Sequence, residues 1–315
     1  MLKVEHLRKT YRGGIKAVDD VSFTVERGQI CGIVGPNGAG KTTTIRMILH
    51  IIRPDSGQVT LNSSPLDAGT KHLLGYLPEE RGLYKKSTIA DTLQYFADLK
   101  GVKPAESKPR ISYWLERFNL KDMGKRKVEE LSKGNQQKVQ FIASVLHDPE
   151  ILIVDEPFSG LDPLNQLLFR DIVLELRKTG KIIVFCTHQL EAAEALCDSL
   201  VMMNKGHAAL NGPLSSIKAR FTRNVYELEY SSGSIQMLRE HTGILTVEEK
   251  RNGFAVVELA GGNGISSLLP DLSPSFEFTR IQKYTPSLLS IFTEIIGKEN
   301  LSTDFLEQRP NYQEK

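Results

Sequence analysis

Cysteine is scarce in this chain. Three stand in 315 residues, Cys31, Cys186 and Cys197, and no pair has the spacing of a metal knuckle or a redox CxxC motif. Cys31 and Cys186 lie inside apolar runs, so the expectation is buried free thiols in a reducing compartment, without disulfides or a cysteine metal site. Long hydrophobic runs are missing too. No stretch approaches the roughly 18 consecutive apolar residues of a membrane span, and Met1-Leu2-Lys3-Val4-Glu5 lacks a signal-peptide core. The chain is expected neither to span a membrane nor to cross one by itself. Excess charge of either sign is also absent. Forty Lys and Arg against 38 Asp and Glu leave a net +2, which gives no support to a surface that wraps nucleic acid. The small basic run Lys121, Lys125, Arg126, Lys127 is flanked by Asp122, Glu129 and Glu130 and reads as a solvated face.

What is present is more specific. Gly35-Pro36-Asn37-Gly38-Ala39-Gly40-Lys41-Thr42 follows the apolar run Ile30–Val34 and precedes the helix-like Thr43–Leu49. A strand, a glycine-rich turn and a helix N-terminus aim backbone N–H groups and the positive end of a helix dipole at one point. Gly35, Gly38 and Gly40 let that backbone close on a phosphate chain. Lys41 reaches β- and γ-phosphates and the Thr42 hydroxyl ligates Mg²⁺ in such a cradle. The segment predicts nucleoside triphosphate binding through Gly35, Pro36, Asn37, Gly38, Ala39, Gly40, Lys41, Thr42 and Thr43.

Around the cradle, the pattern alternates. Leu2/Val4 and Val21–Val25 read as strands, and Gln58–Leu61 follows the turn Pro54-Asp55-Ser56-Gly57. Residues 86–148 read as mostly helical, with apolar residues at helical spacing over Thr88–Phe96 and at Ile111, Leu115 and Phe118. Ile151–Val154 and Ile182–Cys186 are unbroken apolar runs, as strands buried on both faces must be. The helical spacing from Leu164 to Lys178 joins them into a crossover unit.

After Asn211-Gly212-Pro213 the character changes. Strands are expected at Val225–Tyr230, Ile244–Glu249, Phe254–Leu259 and Phe276–Gln282, with helices at Ile235–Glu240 and Ile265–Leu269. This β-α-β-β-α-β order suggests a small ferredoxin-like domain. A last helix is expected over Ser287–Ile296, capped by Thr285 with Pro286 in its first turn. The final stretch of about fifteen residues is polar and expected to fray.

Two further motifs carry chemistry. Asp155-Glu156 ends the run Ile151–Val154, and carboxylates at the C-terminal end of a central parallel strand stand where such folds bind ligands. Asp155 would serve a Mg²⁺ shell, and Glu156 would orient or deprotonate the water attacking a γ-phosphate. Leu131-Ser132-Lys133-Gly134-Asn135-Gln136-Gln137 precedes a helical stretch from Lys138 to Leu146. Ser132 can cap that helix while Gly134 leaves backbone N–H groups open to an anion.

Together these segments resemble the nucleotide-binding subunit of an ABC transporter, over about residues 1 to 212. Gly35–Thr42 is similar to the family's Walker A, Leu131–Gln137 to its signature, Ile151–Glu156 to its Walker B, and Ser159-Gly160-Leu161-Asp162 to its D-loop. His188 falls at the switch histidine, and Tyr11 stands where the family stacks an aromatic ring on adenine. Two departures stand out. Lys133 and Asn135 replace Gly and Gln of the signature, while Ser132 and Gly134 are intact. At the Q-loop position, after Gly75-Tyr76-Leu77-Pro78, stands Glu79. An ionised carboxylate there still ligates Mg²⁺ or water, but it cannot donate the amide's hydrogen bond.

The resemblance implies an α/β fold: a P-loop NTPase core with a helical subdomain at about 86–148 in a nucleotide-binding domain over 1–214, then an accessory α+β domain over 215–315. It implies ATP hydrolysis, with Glu156 and His188 catalytic. ATP would be bound by Tyr11, the Walker A residues, Ser132, Gly134 and Asp162, and Mg²⁺ held by Thr42, Asp155 and Glu79. Two such subunits would sandwich two ATP molecules, Ser132 and Gly134 of one facing Lys41, Thr42, Asp155 and Glu156 of the other. The expected partners are a second ATPase subunit and transmembrane permease subunits at the cytoplasmic face of the cell membrane. The single ATPase unit, the Pro78–Tyr84 loop and the C-terminal extension resemble the exporter branch with separate ATPase and membrane polypeptides, which includes sodium-extruding and multidrug-type systems. The alternative is a soluble ABC ATPase acting on ribosomes or DNA. Such proteins usually carry two nucleotide-binding units or a long coiled-coil insertion, and the sequence has neither.

Overall fold

The strand-forming runs at the N-terminus build an antiparallel layer. In the computed structural model, which describes residues 1–297 apart from Arg81 and residues 262–263, β1 (Leu2–Tyr11) pairs with β2 (Ile15–Val25) from Leu2↔Val25 to Tyr11↔Ile15. The expected frayed end lies largely outside the described residues. Two compact units are distinct, Met1–Ser215 and Ser216–Ile291, with residues 292–297 grouped with the first.

In the first unit, β3 (Ile30–Val34) leads into the glycine-rich turn and α1 (Lys41–Ile48). The chain then returns to the N-terminal sheet as β4 (Ser56–Leu61) and β5 (Ser64–Pro65), giving the order β2-β1-β4-β5. Strand β6 (Leu74–Leu77) opens the path to the helical segment of α2 (Ile89–Leu99), α3 (Pro104–Arg117) and α4 (Lys133–Val145). Local chemistry sets two of these starts. The Thr88 hydroxyl accepts from Asp91 N at 3.1 Å, and the Ser132 hydroxyl from Asn135 N at 3.3 Å, each satisfying a donor that the first helical turn leaves open.

The apolar runs form the centre. Strands β7 (Ile151–Asp155), β8 (Ile182–Thr187), β9 (Ser199–Asn204) and β10 (His207–Pro213) join β3 and β6 in the order β10-β9-β3-β8-β7-β6. Every neighbouring pair from β9 to β6 is parallel, and only β10 is antiparallel. Every residue of β3, β7 and β8 is buried, which is why these strands alternate with nothing polar until their C-terminal ends. Helix α5 (Pro163–Lys178) is the crossover between β7 and β8, and α6 (Leu190–Leu196) connects β8 to β9. All three cysteines are buried and free.

An aromatic trio ties the helical segment to α5. Phe118, just after α3, Phe141 of α4 and Phe169 of α5 meet edge-to-face with centroids 5.1–5.6 Å apart, the arrangement the ring quadrupole favours. All three are fully buried.

Past α7 (Leu214–Phe221), the second unit follows the expected element order: β11 (Val225–Ser232), α8 (Ile235–Glu240), β12 (Ile244–Arg251), β13 (Phe254–Leu259), α9 (Leu269–Leu272) and β14 (Glu277–Lys283). Its sheet is antiparallel in the order β12-β13-β11-β14, the ferredoxin-like arrangement. Leu228, Tyr230, Ala255, Val257 and Leu259 point to one face and build its core with Leu238 and Leu272.

The final helix, α10 (Leu288–Ile296), begins later than Thr285 and Pro286 suggest. Pro286 drives the preceding residue to extended backbone, and the cap falls to Ser287, whose hydroxyl accepts from Ser290 N at 3.1 Å. Among the described residues, no helix is long and apolar enough to cross a membrane.

Candidate functional site

The parallel strands deliver their polar ends to one place. The turn after β3, the carboxylates ending β7 and the Thr187-His188 pair ending β8 stand side by side, because β8 lies between β3 and β7. They surround a cavity of about 380 Å³ lined by Asn37, Gly38, Ala39, Gly40, Lys41, Thr42 and Thr43 with Glu79, Asp155, Glu156 and His188.

Two glycines of the turn are there for space as well as conformation. A Cβ on Gly35 would lie 2.2 Å from Met203 O, and one on Gly40 2.2 Å from Ala17 O. Gly40, with φ of 101°, is also the left-handed N-cap of α1, a backbone region that side chains resist. Lys41 is buried, and its Nζ donates to Gly35 O at 2.7 Å and Pro36 O at 3.1 Å. One ammonium thus ties the N-terminal half of the loop to the start of the helix, with its charge beside the cavity.

Opposite stands a carboxylate held from three sides. Glu156 Oε1 accepts from His188 N at 2.7 Å and from His188 Nδ1 at 2.6 Å, and Oε2 accepts from Thr187 Oγ1 at 2.9 Å. Glu156 has a φ of 48°, the left-handed region, while its N–H still bonds Cys186 O at 2.9 Å. A non-glycine residue in that conformation costs on the order of 1–3 kcal/mol, and such strain collects at functional sites. Beside it, burial raises the Asp155 carboxyl above its ordinary value. The Cys186 thiol, which donates to it, opposes the rise; Glu156 and Glu79 add to it, and Lys41 counters. The centre is rich in negative charge, with one buried ammonium as counterweight.

The donor set suits a hard cation. Thr42 offers a hydroxyl, Asp155 and Glu79 offer carboxylates, and all line the same cavity. Among the described residues, no three acidic, histidine or cysteine side chains close into a ready-made cage. A Mg²⁺ ion keeps several waters and takes phosphate oxygens beside one or two carboxylates, and Thr42, Asp155 and Glu79 are the residues that could hold one here.

Of the residues read from the sequence, Asn37 to Thr43, Glu79, Asp155, Glu156 and His188 come together here, and Gly35 and Pro36 serve through their carbonyls. Besides Gly35 and Pro36, four more do not line the cavity. Tyr11 is 39% exposed at the end of β1. Ser132 caps α4, and Gly134 lies in that helix's first turn. Asp162 caps α5, accepting from Asn165 N at 3.0 Å. Two contributors escaped the sequence reading. Ala17 lines the cavity from β2, and no motif marks it. Thr187 supports Glu156, and its place directly before His188 was the available signal.

Comparison with known proteins agrees with this geometry. The ABC transporter family model matches residues 18–159, and a model described as the C-terminal domain of DrrA1-3-like ATP-binding proteins matches residues 212–296. An uncharacterized ABC transporter ATP-binding protein of Bacillus subtilis, YhaQ, is 41% identical over 94% of this chain and 99% of its own length. The linearmycin resistance ATP-binding protein LnrL of the same organism is 29% identical over 95% of this chain and 99% of its own. A solved ATP-binding subunit of an ABC transporter superposes with a TM-score of 0.66 at 33% identity, covering 70% of this chain and 93% of that one. A phosphate cradle facing a buttressed glutamate, in a chain with these relatives, is an ATP-binding and ATP-hydrolysing machine: the protein belongs to the ATP-binding subunits of ABC transporters.

Proposed function

We propose that this chain powers an exporter, with Glu156 as the group that orients and deprotonates the attacking water. The observation that carries this role is the clamp on its carboxylate by His188 and Thr187 at the edge of the cradle. In the proposed arrangement, Lys41 and the N–H groups at the start of α1 bind the phosphate chain. Thr42, Asp155 and Glu79 would hold Mg²⁺, which supplies charge neutralisation on the transferred phosphoryl group. His188 holds Glu156 in place through its backbone N–H and its ring Nδ1–H.

One helix N-terminus cannot surround a γ-phosphate. We assign Ser132 and Gly134, which stand away from the cavity of their own chain, to the nucleotide of a second ATPase subunit, with Asp162 nearby and Tyr11 stacking on adenine. ATP then favours the closed pair, and hydrolysis removes that preference. Residues 1–214 act as the nucleotide-binding domain, with 86–148 as its helical subdomain. Residues 215–315 act as an accessory domain. Transmembrane permease subunits, at the cytoplasmic face of the membrane, take up the motion. Export is supported by the resistance function in the name of one relative.

The test is Glu156→Gln. It keeps the shape and loses the base, so ATP binding should persist while turnover falls roughly 10²–10⁴-fold. Turnover near that of the unaltered protein would remove Glu156 from the role.

A further inference from the structure

Helix α4 and the loop that follows β6 are joined by one side chain. Gln140 is buried at 5% exposure in the middle of α4. Its Nε2 donates to Pro78 O at 3.1 Å and to Glu80 O at 2.9 Å. Both partners are carbonyls, so the amide's orientation is fixed by chemistry: only the NH₂ end can face them. Both amide hydrogens are spent on the two residues that flank Glu79. The other end of the amide, Oε1, is buried with no hydrogen-bond partner. A core position retaining a polar group at that cost is spending it on the donor side.

We propose that Gln140 is a positioning residue for the nucleotide site: it brackets Glu79 and sets that carboxylate beside Asp155 and Glu156. The inference rests on the reading of Glu79 as a Mg²⁺ or water ligand. The geometry gives it a direction. Pinning Pro78 O fixes the peptide plane that enters Glu79, and pinning Glu80 O anchors the chain one residue beyond it, so the backbone is held on both sides of the Glu79 side chain. That side chain lines the cavity. Ser132, the cap of α4, lies eight residues before Gln140 on the same helix, a rigid rod of about 12 Å. A shift of the Ser132 end therefore carries the bracket, and Glu79, with it. An apolar side chain of equal length would pack in the same space and lose this link.

The experiment is a double-mutant cycle on the full chain with Gln140→Met, Glu79→Ala and the pair. Nucleotide affinity is measured by calorimetry with and without Mg²⁺ in a Glu156→Gln background, and the Mg²⁺ requirement of turnover in the native background. Glu79→Ala should raise the half-saturating Mg²⁺ for turnover and shrink the gain in nucleotide affinity that Mg²⁺ confers. Gln140→Met should raise the half-saturating Mg²⁺ about tenfold, the usual cost of losing a group that orients a metal ligand. Affinity for Mg²⁺-free ATP should not move, and the pair should be no worse than Glu79→Ala alone. If Gln140→Met does not fold, Gln140→Asn keeps the amide, cannot reach the carbonyls, and carries the same expectation. An unchanged Mg²⁺ requirement in the Gln140 variant, or losses that simply add, would overturn the inference while leaving Glu79 its role. An unchanged requirement in Glu79→Ala would instead overturn the reading of Glu79, and the inference with it.

Discussion

The two units of this chain solve the same folding problem and place their polar residues differently. In the first, strands β3, β7 and β8 are buried throughout, and polarity is driven to their C-terminal ends. In the second, the antiparallel sheet buries one face and carries charge on the other: Glu227 and Glu229 flank Leu228, and Glu258 stands between Val257 and Leu259. Concentration at strand ends makes a cavity where Lys41, Asp155 and Glu156 meet. Dispersal along strands makes a solvated face, in which Arg251 and Glu229 form an ordinary surface pair. Chemistry follows the topology that collects polar groups at one edge.

That contrast can be attacked at its joints. The largest expected effect is at the aromatic trio: Phe141→Ala should cost about 3–5 kcal/mol, read as a lowered denaturation midpoint of the first unit. A comparable core truncation in the second unit, Leu228→Ala, should cost about 2–5 kcal/mol and leave the ATP affinity of the full chain unchanged. A loss of ATP affinity in that variant would break the separation between the units.

A pH effect sharpens the comparison further. Burial, aided by the Lys100 charge, pushes the His147 imidazole down to about 4. Its Nε2 donates to Leu74 O at 3.0 Å and its Nδ1 is buried without a partner. The unfolded chain takes up a proton near its ordinary value of about 6.5, and the folded chain does not until about 4. Stability is therefore intact above the unfolded value and falls as pH drops between the two, by at most roughly 3 kcal/mol. Denaturant melts of His147→Gln should lose this part of the acid slope. The smallest effect belongs to the open face of the second unit, where Arg280→Ala should change stability by less than about 0.5 kcal/mol.

Legibility divided along the same line. The cradle was readable because phosphate binding is a local demand: eight consecutive residues supply a strand end, a close-packed turn and a helix start. Asp155 and Glu156 were readable because an apolar run must end where they begin. The strand order of the second unit followed from the alternation of its elements. What depended on distant neighbours was not readable. Ala17 reaches the cavity because its stretch of β2 packs directly on Gly40, so close that a Cβ there would lie 2.2 Å from its carbonyl oxygen. Gln140 looks like any polar helix residue until β6 is packed against it, and nothing local marks the left-handed turn at Glu156. The cap of the last helix falls at Ser287, two residues after Thr285, because a proline at a helix start and a proline before one look alike in sequence.

Glu156 sits in a backbone conformation that asparagine or glycine would adopt at lower cost. Folding and turnover therefore make opposite demands on one codon. A library of this chain selected only for heat resistance should drift from glutamate at position 156, toward glycine and asparagine first. The same library selected for ATP turnover should hold glutamate against that drift.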